Sequence, residues 1–340
     1  MPYQLVLDGV VREFEFFPPN GWPYWVERVH AEDGREGLPL IIALHGGGQT
    51  PANFAIDWLF PLLFNSNDNA NWEDRAFVLY PYGLAYMPKA DAEPRRGWNI
   101  GFTGTYLATW SDVSFVRAML DAVEAMLEKE LRALGIARRA IDRDRRFLFG
   151  YSMGGMMSYR LASAMPDSWG ALWVMAGAFG GRSHHGITPT VTWPPRGHSG
   201  LSLFAHHGEL DSTVPPGPIN DPSGLAVSQQ SIDEHLAAGL LQADAERHAF
   251  SVRHLQAAVV TYHTYNNCRA IPFDIQTTLT DVGGGNGSSQ YTYRQEGNPP
   301  NPEVIVYRDP ALAHTNFVAN RYFTAADVWN FFKAHPRIDL

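Results

Sequence analysis

The segment Gly150-Tyr151-Ser152-Met153-Gly154 places one hydroxyl between two glycines. An apolar run, Phe147-Leu148-Phe149, leads into it, and MMSYRLA follows with a helical period. A serine at a strand-to-helix turn is held out above the sheet, and the flanking glycines let the turn be sharp. The helix that follows aims its first amides at developing negative charge. A serine hydroxyl is a weak nucleophile, so it needs a base, and the base needs an orienting acid. For this turn the chain order is serine, acid, histidine. The run LSLFAHHG (201–208) is followed by Glu209, Leu210 and Asp211. Asp211 is the expected acid, with Glu209 the alternative. The run EVIVYRD (303–309) is followed by His314, the expected base. Upstream, Leu44-His45-Gly46-Gly47-Gly48 ends an early apolar run. Glycines allow close backbone approach, so an oxyanion hole is expected from the amide of Met153 and one from Gly47 or Gly48. His45, which precedes the hole, reads as structural. Such a set performs two-step acyl transfer and needs no metal or organic cofactor.

These residues require a scaffold of buried strands with helices between them. PLIIALHGGG (39–48), RAFVLYPYG (75–83), RRFLFG (145–150) and WGALWVMAGA (169–178) are short continuous apolar runs, the pattern of strands buried on both faces. LSLFAHHG and EVIVYRD complete the set. QLVLDG and VREFEFF suggest a hairpin around Asp8-Gly9, and WVERVH reads as a further strand. In 111–133, Val113, Val116, Met119, Leu120, Val123, Met126, Leu127 and Leu131 recur at three- and four-residue steps, which predicts an amphipathic helix capped by Ser111. AADVWNFFKAH (325–335) reads as a closing helix. The alternation predicts an α/β fold with a mostly parallel sheet flanked by helices.

Three stretches rich in Gly, Pro, Trp and Tyr break the rhythm: 84–110, 180–200 and 212–302. They read as insertions over the C-terminal edge of the sheet, where such folds bind ligands. SQQSIDEHLAAGLL (228–241) is helix-like and suits part of a lid. Trp98, Trp110 and Phe179 are expected walls of a cleft for an apolar or aromatic ester. Arg95 and Arg96 read as a solvated loop pair that could also meet a substrate carboxylate.

The 340 residues carry a net charge of −9 and no basic stripe, which argues against nucleic acid as a partner. The lone Cys268 excludes an internal disulfide and reads as a passive thiol. No run approaches the ~18 apolar residues of a membrane span. The N-terminal residues lack the pattern of a secretory signal, so the expected location is cytoplasmic unless a leader has been removed. The expected partner is a small or oligomeric ester, with no membrane partner; oligomeric state is not legible.

LHGGGQTPANFA (44–55), SDVSFVRAMLDAV (111–123), FLFGYSMGGMMSYRLA (147–162), HHGELDSTVP (206–215) and LAHTNF (312–317) together resemble the α/β-hydrolase superfamily. Within it, the chain is similar to the poly(3-hydroxybutyrate) depolymerase-like esterases, a group that includes feruloyl esterases. The resemblance implies one α/β-hydrolase domain over 1–340. It also implies a carboxylic ester hydrolase with Ser152 as nucleophile, Asp211 as acid and His314 as base. Short hydroxyacid oligomers are the leading substrate, and hydroxycinnamoyl esters the alternative. A serine peptidase and a non-catalytic hydrolase fold rank below. Ala313 replaces the family's usual glycine before the histidine, and Asn316 stands where a tryptophan is common.

Overall fold

The computed structural model describes residues 2–58, 60–65, 72–86, 94–100, 111–177, 179, 200–211, 213–214, 274–277, 288–294, 302–309, 312–314 and 323–337. Along the chain run β1 (Tyr3–Leu7), β2 (Val10–Phe17), α1 (Trp22–Asp33), β3 (Leu38–Leu44), α2 (Pro51–Trp58), α3 (Phe60–Asn65), β4 (Phe77–Pro81), β5 (Leu84–Tyr86), β6 (Arg95–Gly97) and α4 (Asp112–Ala133). Then come β7 (Ile141–Tyr151), α5 (Met153–Ala164), β8 (Ala171–Met175), β9 (Ser202–Gly208), β10 (Asp274–Thr277), β11 (Ser289–Arg294), β12 (Glu303–Asp309) and α6 (Ala325–Ala334).

Among the described residues, ten strands form one sheet in the order β1-β2-β4-β3-β7-β8-β9-β12-β11-β10. The stretch from β4 to β12 is parallel throughout. Antiparallel pairs extend both edges. β3 is buried along its whole length, as its unbroken apolar run requires. Leu40, Ile42 and Leu44 enter one core with residues of α1, α4 and α5. Ile41 and Ala43 enter a second core with Phe54 of α2, Phe60 and Phe64 of α3, and Val328 and Phe332 of α6. The sheet is therefore covered by helices on both faces.

Local sequence explains most of these elements. β1 and β2 turn through Asp8 and Gly9, with φ of 49° and 78°, as an Asp-Gly hairpin turn requires. α4 starts where Ser111 Oγ accepts the Ser114 amide at 3.1 Å. Its buried face includes Val116, Met119, Val123, Leu127 and Leu131, as the spacing predicts. Thr324 and Asp327 close a reciprocal capping box on α6.

Two expectations are corrected. WVERVH lies inside helix α1 and is no strand. Trp22, Val26 and Val29 bury one helical face, and a proline in the first turn loses no intrahelical bond. Within 212–302, β10 and β11 continue the main sheet beyond β12 rather than standing over it. SQQSIDEHLAAGLL, Trp110 and Cys268 lie outside the described residues. Among the described residues, no helix is long and apolar enough to cross a membrane.

Because β3, β7, β9 and β12 run parallel, their C-terminal ends share one edge of the sheet. His45, Ser152, Asp211 and His314 each follow one of those ends.

Candidate active site

Ser152 sits between β7 and α5 with φ 52° and ψ −119°. A positive φ on a non-glycine residue stores on the order of 1–3 kcal/mol of strain and persists only where its surroundings enforce it. Here the neighbours leave no choice. A Cβ on Gly150 would collide with the carbonyl of Gly154, and one on Gly154 would collide with the carbonyl of Leu44. The Ser152 amide donates to Met175 O at 2.8 Å, which fixes the turn against β8. Strand, helix and the β3 loop therefore meet at van der Waals limits around a partly exposed hydroxyl.

The expected acid and the expected base follow β9 and β12. Gly208 lets the two loops touch, since a Cβ there would collide with the Leu312 carbonyl. The Glu209 amide donates to Asp309 O at 2.8 Å, and the Leu210 amide donates to Leu312 O at 3.0 Å. Glu209 itself pairs with Arg308 at 3.2 Å, and of the two expected carboxylates Asp211 is the one that meets His314.

Ser152 Oγ lies 2.9 Å from His314 Nε2, and His314 Nδ1 lies 2.7 Å from Asp211 Oδ2. A carboxylate only accepts, so Nδ1 carries the proton and Nε2 offers its lone pair to the serine. Asp211 is 2% exposed. Burial alone would raise its carboxyl, but hydrogen bonds from His207, His314 and the Val214 amide outweigh that and hold it well below the usual carboxylate range. Its Oδ1 accepts the amides of Thr213 at 2.9 Å and Val214 at 2.8 Å. His207 Nε2 lies 3.3 Å from Oδ2.

The loop after β3 supplies the facing backbone. The Gly48 amide donates to Arg96 O at 2.7 Å, so it is committed to β6. Of the two glycine amides expected for an oxyanion hole, Gly48 is thereby removed. The Gly47 amide makes no hydrogen bond among the described residues, and Gly47 is exposed. Met153, directly after Ser152, opens α5. His45 is fully buried and structural. Its Nδ1 donates to Gly46 O at 2.8 Å, and its Nε2 accepts the Gly83 amide at 3.0 Å. Burial lowers its pKa to about 4, with Arg96 adding to the effect against the Gly46 hydrogen bond.

Two of the three expected aromatic walls, Trp98 and Phe179, are buried in the structure. Trp98 is fully buried and donates its indole N–H to His45 O at 2.8 Å, so it braces the glycine loop from behind. Phe179 is 8% exposed and packs edge-on against Tyr159, 5.1 Å between centroids. Arg96 Nη1 donates to Gly83 O at 3.1 Å and its guanidinium lies over Tyr82, which binds the β5–β6 ribbon together. Arg95 is exposed beside Gly48.

Tyr151 was missed from the sequence. Its hydroxyl donates to the His314 carbonyl, and its ring lies 5.5 Å from the imidazole. Its place beside Ser152 was the one available signal. The β5–β6 ribbon had none, being only three residues per strand.

No family model and no curated protein sequence matches the chain. Among solved structures, an acetyl xylan esterase from Aspergillus awamori is similar at 13% identity and a TM-score of 0.53, covering 98% of each chain. A siderophore hydrolase, EstB, from Aspergillus nidulans is similar at 12% identity and a TM-score of 0.46, covering 98% of this chain and 92% of that one. A thermostable esterase, at 17% identity and a TM-score of 0.37, matches 63% of this chain, which spans about half of it (48%). The chain has the α/β-hydrolase fold.

Proposed function

We propose that the protein is a serine-dependent carboxylic ester hydrolase that works through an acyl-enzyme. The observation that carries this reading is the unbroken path from Ser152 Oγ through His314 to Asp211, with Ser152 set on a strained turn. In the first step His314 Nε2 takes the Ser152 proton as Oγ attacks the ester carbonyl carbon. The amides of Met153 and Gly47 stabilise the oxyanion of the tetrahedral intermediate. The alcohol leaves with the proton from Nε2, and Ser152 remains acylated. Water, activated by the same nitrogen, then attacks the acyl carbon, and the acid departs as Oγ regains its proton. Asp211 keeps the imidazole in the required tautomer and stabilises the imidazolium in both steps.

The motif resemblance extends the reading to short hydroxyacid oligomers of the polyhydroxyalkanoate type. Trp98 and Phe179, two of the three expected walls for an apolar or aromatic ester, are buried, so the substrate class rests on the motifs alone. Hydrolysis of p-nitrophenyl acetate and butyrate by the wild type and by Ser152→Ala tests the reaction class. Turnover in the wild type and a loss on the order of 10⁴–10⁶-fold in the variant are expected. Equal turnover in both would overturn the reading. Hydroxybutyrate oligomers against methyl ferulate then separate the substrate classes.

A further inference from the structure

Asp211 receives a second imidazole that the reaction steps above do not use. His207 lies on β9, is 1% exposed, and directs Nε2 at two acceptors. Val214 O is 2.6 Å away and Asp211 Oδ2 is 3.3 Å away. Both partners only accept, so Nε2 carries a proton that they share. With the amides of Thr213 and Val214 on Oδ1 and His314 on Oδ2, His207 brings a fourth donor to a carboxylate that offers about four lone-pair sites. Val214 is tied twice: its amide holds Oδ1, and its carbonyl holds His207.

We propose that His207 is a positioning residue for the acyl-transfer reaction: its Nε2–H spans the Asp211–Val214 turn and fixes Oδ2 at the angle that serves His314 Nδ1. This rests on the ester-hydrolase reading of the same site. Without this donor, Oδ2 has one fewer anchor and the carboxylate can rotate about its Cβ–Cγ bond. Substrate does not reach His207, which lies buried behind Asp211, so binding is untouched while chemistry slows.

Three variants separate the N–H from the bulk of the ring. Gln places an amide nitrogen the same number of bonds from Cβ as the imidazole Nε2. Asn is polar but one bond short, and Leu fills the space with no donor. His207→Asn and His207→Leu should lose about ten- to a hundredfold in kcat, the range a hydrogen bond to a charged group commands, with KM within about twofold. His207→Gln should recover most of that loss. A second readout needs no turnover: the His314 Nδ1–H proton, far downfield in the NMR spectrum when held by a carboxylate, should move in Asn and return in Gln. If Leu does not fold, the Asn and Gln pair decides alone. Unchanged kcat and an unmoved resonance in Asn would overturn the proposal, as would a Gln variant as slow as Asn at equal thermal stability. If the wild type turns over no ester, the ester-hydrolase reading fails and the resonance still decides how His207 acts.

Discussion

Around Ser152 the chain is held by contact: Gly150, Gly154 and the Leu44 carbonyl leave no room for one added methyl group, and the backbone is strained into a positive φ. Around Asp211 and His314 it is held by hydrogen bonds, with two amides and two imidazoles on one carboxylate and a tyrosine hydroxyl on the histidine carbonyl. The first region responds to volume, because close-packed backbone cannot yield. The second responds to the loss of donors and to charge. A nucleophile that must keep a strained conformation is suited by the first kind of support. A base that must gain and lose a proton is suited by the second.

The largest effect should come from the hydrogen-bonded side. Asp211→Asn keeps the shape but presents an N–H to Nδ1 and favours the wrong imidazole tautomer, so kcat should fall about 10⁴-fold. The same variant tests acid stability. The folded state holds the Asp211 carboxyl below its ordinary range, so its contribution is complete above about pH 4 and fades as pH falls further. Denaturant titrations should therefore find wild type and variant furthest apart above pH 4 and converging below it.

On the packed side, Gly154→Ala should destabilise the fold by about 3 kcal/mol or more, since the new Cβ meets backbone rather than a movable side chain. A melting temperature within a degree or two of wild type would break the contrast between the regions.

The packed side also has one titrating group. His45 is neutral when folded, with a pKa of about 4 set first by burial, against about 6.5 when unfolded. The unfolded chain thus binds the proton first, and stability should fall between pH 6.5 and pH 4 by on the order of 3 kcal/mol. His45→Gln, which can still accept the Gly83 amide, should flatten that slope. A slope that survives in the variant would assign acid sensitivity elsewhere.

The smallest effect concerns the link between the regions. Tyr151→Phe removes the hydroxyl that reaches the His314 carbonyl. About a fivefold loss of kcat is expected, with little change in melting temperature, as for one hydrogen bond.

The positions of the proposed triad stand out in the sequence because Ser152, Asp211 and His314 each follow the end of a strong apolar strand, and the structure brings the three within hydrogen-bond distance. The rest was hidden for specific reasons. WVERVH is too short to show a 3.6-residue period, and Trp22, which completes the helical face, lies outside that window. SQYTYR of β11, one strand in from the sheet's edge, is polar and has no apolar run to announce it. Trp98 sits in a loop sequence that suggests exposure, yet its indole N–H finds the His45 carbonyl and the ring is drawn inside. The choice between Gly47 and Gly48 depended on the partner of one amide, which β6 supplies from almost fifty residues away.

The most direct test of the central claim is to treat the protein with a fluorophosphonate and map the adduct by peptide mass spectrometry. A single phosphonylated residue, Ser152, is expected, with labelling slowed by several orders of magnitude in His314→Ala. A folded protein that leaves Ser152 unlabelled, or that labels at the same rate without His314, would contradict it.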